Sequence, residues 1–139
     1  MSEALYHDAL VARARNAFGK GRLADATGTA TVDNPLCGDR VTLDLAVTDG
    51  RIAAIGHQVR GCLLCEAAAA VIAEHCRGSG KGDIDAIGAA ARRLMVEGGP
   101  LEPCWQCLEI FRPVHQAKSR RDCVLLPFEA LARAASGIT

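Results

Sequence analysis

The chain has 139 residues, half of them hydrophobic, and its 16 basic residues balance its 16 acidic ones. This length suits one domain over residues 1–139 with its own core, and the balanced charge argues against nucleic-acid or anionic-membrane partners. The longest apolar runs are too short to span a bilayer. The first residues are polar and acidic and do not resemble a secretion signal, so we expect a cytoplasmic protein.

The first half of the chain carries one helical pattern and then alternating apolar and polar residues that predict strands. These patterns predict, in chain order, a helix at 2–19 and strands at 27–32, 41–48 and 51–60. Asp49-Gly50 is a strong signal for a hairpin turn, and Ala53-Ala54 breaks the alternation as a β-bulge would. We therefore expect a three-stranded antiparallel meander.

The second half has helical periodicity. It predicts a helix from Cys62 to the glycines at 78–82, with Leu64, Val71 and His75 on one inward face. A second helix is predicted from an N-cap at Asp83 to about Glu97. Further on, the patterns predict a short helix around residues 105–111 and a last helix from Pro127, at its first position, to about residue 135. The fold class is α+β, with helices packed on one face of the meander.

Seven cysteines are present, an odd number in a chain without a visible export signal. Metal binding or thiol chemistry is then favoured over a disulfide framework. A free cysteine is also among the most buried residue types, so a purely structural role stays open for some of them. Cys76, at a predicted helix end, is assigned such a role.

Four residues are candidate ligands for one tetrahedral metal or one small cluster. Cys37 and Asp39 flank Gly38, which lets the backbone turn so that both side chains can point at one centre. Cys62 begins a helix, where unpaired N–H groups and the helix dipole favour the thiolate. Cys123 precedes the last hydrophobic segment, and thiolates suit both zinc and iron–sulfur clusters.

These residues stand within motifs that resemble those of one family. The motifs are Asn34-Pro35-x-Cys37-Gly38-Asp39, Asp49-Gly50-x-Ile52, Gly61-Cys62 and Arg120-x-x-Cys123-x-Leu125-x-Pro127-Phe128-x-Ala130-Leu131. In order and spacing they resemble the U-type iron–sulfur cluster scaffold family (IscU, the NifU N-terminal domain and SufU) over about residues 3–135. The resemblance implies a SufE/NifU-like α+β sandwich. It also implies that Cys37, Asp39, Cys62 and Cys123 hold a [2Fe-2S] or [4Fe-4S] cluster, or Zn²⁺ in the same place.

Two departures from the Isc-like branch favour the Suf-like one. Asp122 stands where a His precedes the last cysteine in the Isc-like branch, and a longer stretch around residues 99–120 replaces the chaperone-recognition segment. The Suf-like branch resembles a zinc-bearing sulfur acceptor as much as a cluster builder. The first of two hypotheses is a non-enzymatic scaffold, a monomer or weak homo-oligomer. It would receive sulfur from a cysteine desulfurase and pass a labile cluster to recipient apoproteins. The second is a zinc-dependent sulfurtransferase, with Cys123 as the persulfide acceptor.

The remaining cysteines leave a third hypothesis open. Cys62 and Cys65, together with Cys104 and Cys107, form two C-x-x-C pairs that could bind zinc as a ribbon. The missing turn glycines make this hypothesis weaker than the other two. Cys65 otherwise has a packing or redox role, and Cys104 and Cys107 lie on a helix face or form a redox pair. His115, in the basic stretch before Cys123, is a further candidate for the site.

Overall fold

A computed structural model describes residues 8–16, 18–35 and 38–138. Its sheet contains β1 (Gly28–Asn34), β2 (Asp39–Thr48) and β3 (Arg51–Arg60), in the order β1-β2-β3. Both neighbouring pairs are antiparallel. The predicted meander and α+β class are confirmed.

The β2–β3 hairpin has the turn and the bulge that its sequence indicates. Asp49 and Gly50 have φ values of 53° and 75°, the left-handed pair that a two-residue turn matched to the strand twist requires. Ala46 pairs with Ala54 and the next residue, Val47, pairs with Ile52. Ala53 is therefore the extra residue of a bulge, as predicted.

In the described part of the chain, four α-helices and an irregular 3₁₀ region accompany the sheet. The helices are α1 (Asp8–Asn16), α2 (Leu63–His75), α3 (Lys81–Glu97) and α4 (Arg121–Ala134). The 3₁₀ segments are Pro103–Gln116, which is kinked at Trp105, and Lys118–Arg120. The predicted start of the first helix, at residues 2–7, lies outside the described residues. Among the described helices, none has the length and apolar character needed to cross a membrane.

α2 lies at the centre of the core and packs against α1, α4 and β3. Its buried residues surround the helix axis: Leu64, Cys65, Ala67, Ala68, Ala69, Ala70, Val71, Ile72 and Ala73. A helix that is apolar on all sides must be covered on all sides, and its many alanines let neighbouring elements approach closely. The expectation of a single inward face that includes His75 is wrong. His75 is exposed and lies 3.2 Å from the Glu74 carboxylate.

Two predicted helix starts are also wrong. Asp83 is the third residue of α3 and not its N-cap. Its Oδ2 accepts the backbone N–H of Gly80 at 3.1 Å, which moves the start of the helix to Lys81. Pro127 lies inside α4, which begins at Arg121.

Pro127 is tolerated there because another donor satisfies the carbonyl that it leaves unpaired. Proline has no N–H to donate to the carbonyl four residues earlier, that of Cys123. The Cys65 thiol donates to this oxygen at 3.0 Å, from 58 residues away in sequence. A buried side chain thus supplies the hydrogen bond that the proline cannot make.

Asp44 is a carboxylate buried on the outer side of β2, under the segment that follows α1. It accepts hydrogen bonds from Arg22 Nε at 2.6 Å, Arg22 Nη2 at 3.2 Å, the Leu23 N–H at 3.0 Å and Thr29 Oγ1 at 2.7 Å. Burial acts to raise the pKa of Asp44, but these hydrogen bonds outweigh it and lower the pKa. The ionised form is the one that the fold stabilises.

We expect Asp44→Asn to lower the free energy of unfolding by about 1–3 kcal/mol at neutral pH, because it removes the charge from a fully bonded acceptor. The native pKa of Asp44 lies below the unfolded value of about 3.9. Its contribution is therefore present above about pH 4 and is lost as the pH falls through the native pKa. The difference from wild type should shrink in urea titrations at acidic pH. Asp85→Asn is the control, because this side chain is 62% exposed and its contact with Lys81 is long, at 3.8 Å. A difference for Asp44→Asn that is the same at every pH would contradict the assignment.

Candidate metal centre

Three potential ligands converge where β2, α2 and α4 begin. A carboxylate oxygen of Asp39 and the sulfurs of Cys62 and Cys123 all lie within 4.8 Å of one another. Asp39 is 5% exposed and Cys123 2% exposed, whereas Cys62 is partly exposed. The structure thus brings together three of the four candidates, which are far apart in sequence. Cys37 lies outside the described residues, and its role as a ligand stays a prediction.

Gly61 makes room for the Asp39 carboxylate. The pairing of Arg40 with Arg60 sets Asp39 beside Gly61 at the open end of the hairpin. A Cβ on Gly61 would lie 2.5 Å from Asp39 Oδ1 and 2.8 Å from its Cγ, closer than real Cβ atoms come. The residue before Cys62 must therefore be glycine if the carboxylate is to keep this position.

Cys62 is the N-cap of α2 and the residue at which negative charge concentrates. Hydrogen bonds from the thiols of Cys123 and Cys65 lower the pKa of Cys62, and the backbone N–H groups of Cys65 and Leu64 lower it further. These donors outweigh the effect of burial. Cys62 is therefore the thiolate of the group, as its position at a helix N-terminus predicts.

Cys123 lies in the first turn of α4 and holds its proton. Its hydrogen bond to Cys62 and its burial raise the pKa of Cys123 to about 12. Arg121, two residues earlier, donates from its Nε to the His115 carbonyl at 2.8 Å. Among the sulfurs, the negative charge is thus held mainly at Cys62.

Cys65 is a fourth sulfur at the edge of this group. It is fully buried, one helical turn after Cys62, and its sulfur lies 3.4 Å from Asp39 Oδ2. Hydrogen bonds with Cys123 and Cys62, together with burial, raise the pKa of Cys65. The sequence signal for this contact is the C-x-x-C spacing on a helix, which left packing and redox roles open and did not indicate Asp39 as the partner.

The other candidates lie elsewhere. His115 Nδ1 bonds the Met95 carbonyl at 2.8 Å, with its ring against Gly98. Asp122 is exposed and lines a separate groove with Asn34 and Arg92. Neither belongs to the ligand group found among the described residues.

The two C-x-x-C pairs do not meet, so the zinc-ribbon hypothesis is wrong. Cys62 and Cys65 lie at the first end of α2, and Cys107 lies near Cys76 at the other end. The charge of Cys107 adds to burial in raising the pKa of Cys76 to about 12. The 13 residues of α2 separate its two ends by about 20 Å. Cys104 is exposed on the 3₁₀ segment beside Cys107.

One member of the ligand group, Asp39, lines a groove. An open groove of about 330 Å³ leads to Asp39 and is lined by Gly38, Arg40 and Arg60, among others. Two sulfurs and one carboxylate at this spacing can bind a thiophilic ion, and the carboxylate is the harder and weaker partner for it. The arrangement therefore suits metal binding with one exchangeable corner.

Comparison with known proteins relates the chain to one family. The model of the NifU-like N terminal domain matches residues 5–89. Two iron–sulfur cluster assembly scaffold proteins of Archaeoglobus fulgidus, IscU 1 and IscU 2, are 35% identical over 74 residues, which is 53% of this chain and 48% of theirs. The chain thus spans about half the length of these curated relatives. The IscU protein of Thermotoga maritima is 24% identical over 135 residues, covering 97% of this chain and 95% of its own.

Solved structures show the same fold over the whole length. The N-terminal part of a NifU-like protein from Brucella abortus superposes with a TM-score of 0.92 at 31% identity, covering 99% of this chain and 96% of that one. The SufU protein of Fervidobacterium islandicum gives a TM-score of 0.89 at 23% identity, covering 97% and 99%. At this identity, the second likeness concerns the fold alone.

We expect Gly61→Ala to weaken metal binding by about 10-fold or more, because the new methyl group displaces the Asp39 carboxylate. The measurement is a Zn²⁺ titration of metal-free protein in competition with a chromophoric chelator. Gly88→Ala in α3 is the matched control, since a Cβ there meets no atom within 4 Å. Equal Zn²⁺ affinities for wild type and Gly61→Ala would contradict the role given to this contact.

Proposed function

Because the chain belongs to the NifU-like N-terminal domain family, we propose that it is a scaffold on which an iron–sulfur cluster is assembled and from which it is released. The observation that carries the proposal is the convergence of Asp39, Cys62 and Cys123 within 4.8 Å. Iron and sulfide are here the cargo. The curated relatives from Archaeoglobus and Thermotoga bear the name of such scaffolds.

The ligand chemistry supports temporary binding. Cys62 and Cys123 supply soft sulfur ligands for iron, and Cys37 is proposed as the third from its place two residues before Asp39. Asp39 completes the set with a carboxylate, which binds iron in such a cluster less firmly than a thiolate does. Asp39 lines the open groove, which supports a route by which a recipient could reach this weakest bond.

The same geometry supports a route for sulfur delivery. A cysteine desulfurase presents sulfur as a persulfide, and a scaffold thiolate that attacks the outer sulfur becomes the new persulfide while the desulfurase regains its thiolate. Of the two described ligand thiols, Cys62 is partly exposed and Cys123 is buried. We therefore propose Cys62 as the first acceptor, in place of the Cys123 suggested by the sequence. Recipient apoproteins then take the finished cluster.

A second candidate function is zinc-dependent sulfur transfer. The same donor set suits tetrahedral Zn²⁺, and the partly exposed Cys62 gives a thiolate that could accept persulfide without any cluster. The two functions differ in what the purified protein holds. Stoichiometric zinc in anoxically purified protein, with faster desulfurase turnover and no cluster, would favour sulfur transfer.

Anoxic reconstitution with ferrous iron, cysteine and a desulfurase tests the scaffold function. We expect visible charge-transfer bands in wild type and their loss in Cys62→Ser and Cys123→Ser. Asp39→Cys, which puts a thiolate at the weak corner, should still form a cluster but release it to a chelator or apoprotein more slowly than wild type. Cys104→Ser is the control, because this exposed thiol lies outside the ligand group. Absence of the bands in wild type, or full cluster retention in both serine variants, would contradict the proposal.

A further inference from the structure

The Cys65 thiol connects two of the three segments that carry ligands. Its sulfur lies 3.4 Å from Asp39 Oδ2 and 3.0 Å from the Cys123 carbonyl oxygen. The first contact is to the beginning of β2 and the second to the first turn of α4. Cys65 itself belongs to α2, one turn after Cys62. The Cys65 side chain therefore connects α2, which follows Cys62, to the two other elements that carry a described ligand.

Both acceptors have a reason to need this donor. The Cys123 carbonyl lacks its helical N–H because Pro127 stands four residues later. The Asp39 carboxylate is buried, and a buried carboxylate oxygen is costly without a hydrogen bond. A thiol is a weak donor with a single hydrogen, so the two oxygens compete for this hydrogen with the Cys62 sulfur. Cys65 places one donor beside both oxygens, which a residue without a donor would not do.

The Asp39 carboxylate is restrained from two sides. The Gly61 backbone occupies the space beside Oδ1, where a single added methyl group would collide. Cys65 lies at Oδ2. Hydrogen bonds to the carboxylates that bind metals fix their orientation, and loss of such bonds weakens metal affinity.

We propose that Cys65 is a positioning residue, whose thiol holds the Asp39 carboxylate and the first turn of α4 in place and thereby sets the metal affinity of the site. It donates a hydrogen bond and is not itself a ligand. This inference rests on the proposed use of Asp39, Cys62 and Cys123 as ligands. It adds to that proposal a residue outside the ligand set.

The experiment compares Zn²⁺ affinity in metal-free wild type, Cys65→Ala, Cys65→Ser and Cys76→Ala by chelator competition. Cys65→Ala should bind Zn²⁺ about 10-fold more weakly, and Cys65→Ser, which keeps a donor, should recover most of the loss. Cys76→Ala removes the same atoms from a buried cysteine at the other end of α2 and should bind like wild type. Equal affinity in Cys65→Ala, equal loss in Cys76→Ala, or no recovery in Cys65→Ser would each overturn the inference.

Cobalt substitution separates a positioning role from ligation. The thiolate-to-cobalt charge-transfer intensity should be the same in wild type and in cobalt-saturated Cys65→Ala. A drop would make Cys65 a ligand and overturn the inference. A measurement on metal-free protein tests the contact without any bound metal. The infrared S–H band of Cys65, assigned by its loss in Cys65→Ala, should shift in Asp39→Ala. An unshifted band contradicts the contact. If wild type binds Zn²⁺ with these variant effects but builds no cluster, the scaffold function fails and the positioning role stands.

Discussion

Burying a carboxylate beside three sulfurs is the constraint on which the rest of this structure depends. A buried negative group is costly unless hydrogen bonds or a cation compensate it. Without metal, the compensation comes from shared protons: Cys123 and Cys65 lower the pKa of Cys62 by donating to it. A bound cation would replace the proton of Cys123, which is a proposed ligand, whereas Cys65 would keep its proton and its contact with Asp39. The hydrogen bonds among the ligand sulfurs therefore give way when the cargo arrives, and the restraint on Asp39 stays.

The fold meets this constraint by bringing three element starts to one place. α2 can occupy the centre because most of its buried side chains are methyl groups, so α1, α4 and β3 can all approach it. The N-terminus of α2 then faces the ligand group, where the backbone N–H groups of Leu64 and Cys65 donate to the Cys62 sulfur. Asp44 stabilises the other side of β2 through Arg22 and Thr29. A rigid sheet and a central helix thus position side chains that would repel one another in solution.

Much of this could be predicted from local patterns. The Asp49-Gly50 turn, the bulge at Ala53 and the start of a helix after Cys62 depend on neighbouring residues, so sequence spacing indicates them. The errors concern residues whose partners are distant. Pro127 looks like a helix start because the sequence does not show that Cys65 supplies a donor to the Cys123 carbonyl. Likewise, the family motifs indicate Asp39 as a ligand but say nothing of the thiol that restrains it.

The bulge at Ala53 has a consequence for how this protein can vary. Counting along β3 from the Asp49-Gly50 turn, the bulge fixes which residue arrives beside Asp39, and that residue is Gly61. A one-residue deletion in β3 would place Cys62 beside Asp39, and a one-residue insertion would place Arg60 there. Either change would also move every side chain from the altered position to the end of β3 to the opposite face of the sheet. The length of β3 between the turn and Gly61 is therefore constrained by the ligand site itself.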